Sequence, residues 1–176
     1  MLDAFKQLTS NQYEAALCMI GLCIKQCPDS HWSEFVASLK FCQAAFHTLF
    51  FTDVYLGQNL DELRKQQFHI NHAETFGDYE EIGGGLQQAL YDKAFVEAYL
   101  SHCRQKMTSV LANETDESLN TIADFDWIKF SRAELHVYNI RHIHHHAAQL
   151  SLRLRLDHGD GIPWVGTGWR DDLMSA

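Results

Sequence analysis

The chain has 176 residues, 46% of them hydrophobic and 21% charged, which is the composition of one ordinary globular domain. Its formal net charge is -9, with 23 acids against 14 bases, so it lacks the cationic footprint that nucleic acid and anionic membrane surfaces require. Its start carries no basic run followed by an apolar core, and no segment is apolar for the length of a bilayer, which predicts a cytoplasmic protein.

Breaker residues set the expected fold class. Only Pro28 interrupts 22–56, and 86–158 contains neither Gly nor Pro. Such runs predict an all-α fold. The first helix is expected from about Asp3 to Gln26, with Phe5, Leu8, Tyr13, Leu17, Ile20 and Ile24 near helical period. It should stop at Cys27, because a residue before proline disfavours helix. A second helix is expected from about Glu34 to Leu60, through Phe35, Leu39, Cys42, Phe46, Leu49, Phe50 and Leu56. Periodicity then degrades from Asp61 to Gly85. A connection that long predicts a crossover or a lid, with Gly83-Gly84-Gly85 as a hinge.

The third helix is expected from about Leu86 to Ala112, with a polar break at 113–117 and a short turn around Trp127. The fourth is expected from about Phe130 to Leu156, ending at Asp157-His158-Gly159. The tail, 161–176, carries Trp164 and Trp169, which predicts that it packs on the body of a single 1–176 domain. Five cysteines (Cys18, Cys23, Cys27, Cys42 and Cys103) fall on expected helices without paired spacing and read as buried thiols.

Chemistry concentrates in the fourth helix, at Arg141-His142-Ile143-His144-His145-His146. At about 100° per residue, His142 and His146 lie roughly 40° apart, one turn above the other. Two imidazoles at that spacing can grip one transition-metal ion. His47, inside Phe46-His47-Thr48-Leu49-Phe50, is the best candidate for a third ligand. On the helical wheel Ile140, Ile143, Ala147, Leu150 and Leu154 form the core stripe, with His142 and His146 on its shoulder beside Leu135, Asn139 and Gln149.

Three neutral imidazoles suit zinc, nickel or iron, and an open position would let the metal polarise a carbonyl or acidify bound water or thiol. Glu134 and Asp53 are candidate hydrogen-bond partners for the ligand imidazoles. Asp53, Glu134, His145 and Tyr138 are all conceivable general bases. Other signatures fail: no Glu-x-x-His occurs, His-Glu-x-x-His is absent, and the triple glycine lacks the Lys-Ser/Thr of a phosphate loop.

A helix-two histidine among aromatics, with His142-x-x-x-His146-x-x-Gln149-Leu150 in helix four, resembles the DinB superfamily. Ala147-Ala148 stands where that family often has Arg-Gly. The extra His144 and His145 leave open another ligand choice, such as His142 with His145. The resemblance implies a four-helix bundle with a long crossover between helices two and three, a divalent metal on His47, His142 and His146, and a homodimer. It also implies a small-molecule substrate, and a hydrolase or S-transferase using water or a low-molecular-weight thiol. Characterised family members include thiol-dependent S-transferases and a mycothiol-dependent isomerase. The alternative expectation is a non-catalytic stress-response or interaction module that keeps the bundle and binds metal weakly or not at all.

Overall fold

The computed structural model describes residues 1–77, 79, 81–83 and 88–175. Most of them are helical. α1 (Leu2–Gln26) ends where expected: Cys27 turns extended (ψ 118°) ahead of Pro28. α2 (Phe41–Leu56) is shorter than its periodicity predicts, because 35–40 folds instead as a hairpin of β1 (Phe35–Val36) and β2 (Leu39–Lys40). Ala37 sits at φ +58° in its two-residue loop, a place usually given to glycine. Gln43 fixes the junction, accepting from the Lys40 amide (2.9 Å) and donating to the Ala89 carbonyl (3.0 Å).

The crossover is more structured than the sequence suggests. Among the described residues it holds three short helices, α3 (Leu60–Lys65), α4 (Gln67–Asn71) and α5 (Ala73–Phe76). Gly84 and Gly85 of the expected hinge lie outside the described residues, as does Leu86, the expected start of the third helix. That helix, α6 (Lys93–Asn113), begins later. Residues 88–92 are held off the helical path by tertiary bonds: the Trp32 indole donates to the Tyr91 carbonyl (2.7 Å), and the Tyr91 ring stacks on Phe46 at 3.7 Å.

α7 (Asp116–Asn120) follows, capped by Thr115, whose hydroxyl accepts from the Ser118 amide. α8 (Arg132–His158) starts at Ser131, whose hydroxyl accepts from the Glu134 amide, and ends at Gly159 in the left-handed region (φ +84°). α1 and α2 each pack against both α6 and α8, so the core lies between these four long helices. The expected stripe of α8 is buried at Ile143, Ala147, Leu150 and Leu154, while Ile140 is half-buried. The tail contacts α1 and α6: Gly168 donates to the Asn11 carbonyl, and the Arg104 guanidinium lies 4.1 Å over the Trp169 ring. α9 (Asp171–Ser175) closes the described chain.

All five cysteines are buried and free. Among the described residues no helix is long and apolar enough to cross a membrane.

Candidate metal centre

His47 projects from the middle of α2, and His142 and His146 from adjacent turns of α8. Because α2 packs directly on α8, the three rings meet. Their centroids lie 5.6 Å (His47–His142), 4.9 Å (His47–His146) and 4.7 Å (His142–His146) apart. One candidate ligand atom from each lies within 4.8 Å of the other two. Nitrogens bound to one tetrahedral zinc at about 2.1 Å lie roughly 3.4 Å apart, so side-chain shifts on the order of an ångström bring all three into range. His144 and His145 stand outside this group. His144 turns toward Trp164 (5.6 Å), and exposed His145 meets the edge of His146 (5.1 Å).

Hydrogen bonds fix two of the rings. His47 donates Nδ1–H to Glu81 Oε2 (2.7 Å), and His146 donates Nδ1–H to Gln149 Oε1 (2.9 Å). The Gln149 amide in turn donates to His145 Nε2 (3.0 Å), which keeps its oxygen directed at His146. A ring that gives up its Nδ1 proton to an acceptor keeps its Nε2 lone pair free for a cation. His142 is different: among the described residues its buried Nδ1 has no hydrogen-bond partner, and neither has Glu81 Oε1.

Electrostatics keeps the site neutral. Burial first, then the neighbouring imidazoles, pushes His142 down to about 2, and burial with the His47 ring pushes His146 down to about 4. Neutral imidazole is the form that ligates metals.

The sequence named other partners for these rings. Glu134 is exposed in the first turn of α8, and Asp53 faces α6 instead. Glu81 and Gln149 hold that position. Gln149 had a signal, being one turn beyond His146. Glu81 had none, since it belongs to the aperiodic crossover.

Asp53 anchors a second group. Its buried Oδ2 accepts from His69 Nε2 (2.7 Å) and the Tyr99 hydroxyl (2.9 Å), with His102 Nε2 at 3.6 Å. Oδ1 accepts from Gln66 (3.1 Å) and forms a short ion pair with Lys106. Burial pushes the Asp53 carboxyl up, but His102, His69 and the Lys106 charge outweigh it and hold it well below the usual range. Asp53, His69 and His102 are close enough to share a metal. The Lys106 ammonium already supplies the positive charge there, which makes the group an internal ion-pair cluster.

This cluster also serves the first site. His69 Nδ1 bonds the Tyr79 hydroxyl (3.0 Å), and the Arg64 guanidinium lies 4.9 Å over the Tyr79 ring. Tyr79 adopts φ +60°, a costly conformation for a bulky residue, only two residues before Glu81. Asp53 thus pins the crossover that brings Glu81 to His47.

A further buried network crosses α1, α6 and α8. Tyr13 pairs with His136 (3.2 Å), His136 with Glu114 (3.2 Å), and Glu114 with Arg132, whose guanidinium caps the Leu56 and Gly57 carbonyls of α2. The last cluster, His31, Asp157 and His158, is largely exposed, and Asp157 is paired with Arg153 (2.7 Å).

Two hollows flank the three imidazoles. One, about 420 Å³, is lined by Tyr138, Arg141, His142, His144 and His145. The other, about 400 Å³, runs between the hairpin and α8; Val36, Leu39 and Ala44 face Leu152 and Leu156 across it, and His146 and Gln149 stand in its wall. Two of the conceivable general bases, Tyr138 and His145, therefore line the first hollow. Comparisons with protein-family models, with curated proteins and with solved structures find no match for this chain.

Proposed function

We propose that this chain is a divalent-metal-dependent enzyme of DinB type: a four-helix bundle whose His47, His142 and His146 hold zinc, nickel or iron beside a small-molecule site. One observation carries the reading. Three half-buried imidazoles from two helices each place a candidate ligand atom within 4.8 Å of the other two, and two of them are turned by acceptors on their far nitrogens. Hydrogen-bonded helix-surface histidines would not need that arrangement.

The fit is chemical as well as geometric. The buried His142 Nδ1 has no partner among the described residues, an omission that costs about 1–3 kcal/mol and that an ion bound through that nitrogen would relieve. The depressed His142 and His146 keep their lone pairs available at neutral pH. Glu81 and Gln149 orient their rings and raise ligand basicity. A divalent ion held this way supplies Lewis acidity and a lowered pKa for bound water or a low-molecular-weight thiol, which supports hydrolysis or S-transfer. The hollows on either side give such a reaction access from solvent.

Elemental analysis of protein prepared without chelator and without nickel resin tests the reading. Near-stoichiometric metal is expected, lost in His47→Ala and His146→Ala and kept in His144→Ala. A chain that takes up no zinc, nickel or ferrous iron, and whose melting is untouched by chelator, would instead be an interaction module.

A further inference from the structure

The second hollow has a composition that the metal reading alone does not explain. Along α8, His145, Gln149, Leu152 and Leu156 follow one another at spacings of four, three and four residues, forming one stripe. The stripe begins polar, beside the three imidazoles, and becomes apolar. Leu152 is 56% exposed and Leu156 73% exposed, in the longest helix of the chain, where polar residues cost nothing. Across the hollow, the hairpin presents half-buried Val36 and Leu39 to them. Among the described residues the charged group in the wall is Arg153, which is already paired with Asp157 at 2.7 Å.

We infer that this groove holds the apolar tail of the substrate while its polar, metal-seeking head lies at His47, His142 and His146; the inference rests on the proposed metal reading and names the substrate class. His146 belongs to both the triad and the groove wall, so a molecule in the groove ends at the metal position. From His146 to Leu156 the helix rises about 15 Å at 1.5 Å per residue. An extended chain advances about 1.2 Å per bond, so the groove takes a linear tail on the order of ten carbons. The hairpin is its second wall. With Ala37 strained in the turn and only two ladder pairs, it is the element that adjusts to the tail's width.

Straight-chain hydroxamic acids provide the test, since the head chelates a metal and the tail length is set by choice. Cobalt-loaded protein is titrated with acetohydroxamate, butanohydroxamate, hexanohydroxamate and octanohydroxamate, and the visible spectrum of the cobalt reports head binding. Affinity is expected to rise by up to about fourfold per methylene, the value for a fully buried one. The gain from acetohydroxamate to octanohydroxamate should exceed tenfold. In Leu152→Ser/Leu156→Ser, whose changed residues are exposed and whose fold is therefore spared, acetohydroxamate should bind as before and the chain-length gain should vanish.

A flat series in the wild-type protein, with acetohydroxamate still shifting the spectrum, overturns the tail site and leaves the metal reading standing. A gain that survives in the double variant overturns it equally. Protein that binds no cobalt and no hydroxamate brings down both readings together. Finally, a dimer in sedimentation that the double variant dissolves, with no hydroxamate gain, would assign this face to a second copy of the chain.

Discussion

Among the described residues, two of the three histidine-containing groups close enough to share a metal sit inside the fold, and they differ in what already fills them. Around Asp53, the donors of His69, Tyr99, Gln66 and Lys106 converge on one buried carboxylate, so charge and hydrogen bonds are satisfied internally. Around His47, His142 and His146 the reverse holds. Acceptors sit on the outside of two rings, and the third has a nitrogen that finds no partner among the described residues. Proximity of ligand-type residues does not distinguish a scaffold from a binding site. The direction of the surrounding hydrogen bonds does, because donors pointing inward complete a group and acceptors pointing outward prepare one.

The largest expected effect breaks the comparison from the scaffold side. Asp53→Asn strips the half-buried Lys106 ammonium of its counter-ion and should cost up to about 3–5 kcal/mol of folding free energy in urea titration. His142→Phe, by contrast, removes an imidazole nitrogen that has no partner and should leave metal-free stability within about 1 kcal/mol of wild type. Equal losses in both variants would erase the distinction. Next in size is the response to metal. Zinc at a hundred times its dissociation constant should stabilise the wild-type chain by about 2.7 kcal/mol. His102→Ala should keep that gain and His142→Ala lose it; loss in His102→Ala alone would move the metal to Asp53.

The same contrast explains what could be read from the sequence. The pair on α8 was legible because both residues belong to one regular helix, where spacing fixes direction. His47 was legible from its place in a long aromatic helix. The hairpin was not, since Phe35, Val36 and Leu39 fit helical and strand periods equally, and Ala37 is an unusual residue for φ +58°. The late start of α6 depends on Trp32 and Phe46, which lie more than forty residues away in sequence and capture Tyr91. Glu81 was invisible for a related reason. Its position follows from Asp53, His69 and Tyr79 acting in series, a chain of tertiary bonds with no local pattern.

That series makes Glu81 the point where the two regions touch. Glu81→Gln keeps the shape and weakens the acceptor for His47 Nδ1–H, so zinc affinity should fall about 10- to 100-fold, read by competition with a chelating dye. His69→Phe, which cuts the bond to Tyr79 two residues upstream, should reproduce part of that loss without touching a ligand. An unchanged affinity in both would mean that the crossover covers the site without tuning it.

The smallest effect separates the regions by pH in the metal-free protein. His142 and His146 are held neutral in the fold, at about 2 and about 4, whereas in the unfolded chain they take up protons near the ordinary 6.5. The unfolded state therefore binds more protons as pH falls below 6.5, and stability drops through that window toward the folded values. Asp53 is held below its ordinary 3.8, and Glu114 is held at about 2 against 4.5, where His136, Ser118 and Arg132 outweigh burial. Their contribution is complete above 4.5 and is lost only as pH falls further. Between pH 6.5 and 4.5 the slope thus belongs to the imidazoles rather than to these carboxylates. His142→Phe should flatten it by up to about 1.4 kcal/mol per pH unit, while Asp53→Asn should lower the whole curve and leave that slope alone. A slope that His142→Phe leaves unchanged would take away the neutral character on which metal binding at His142 depends.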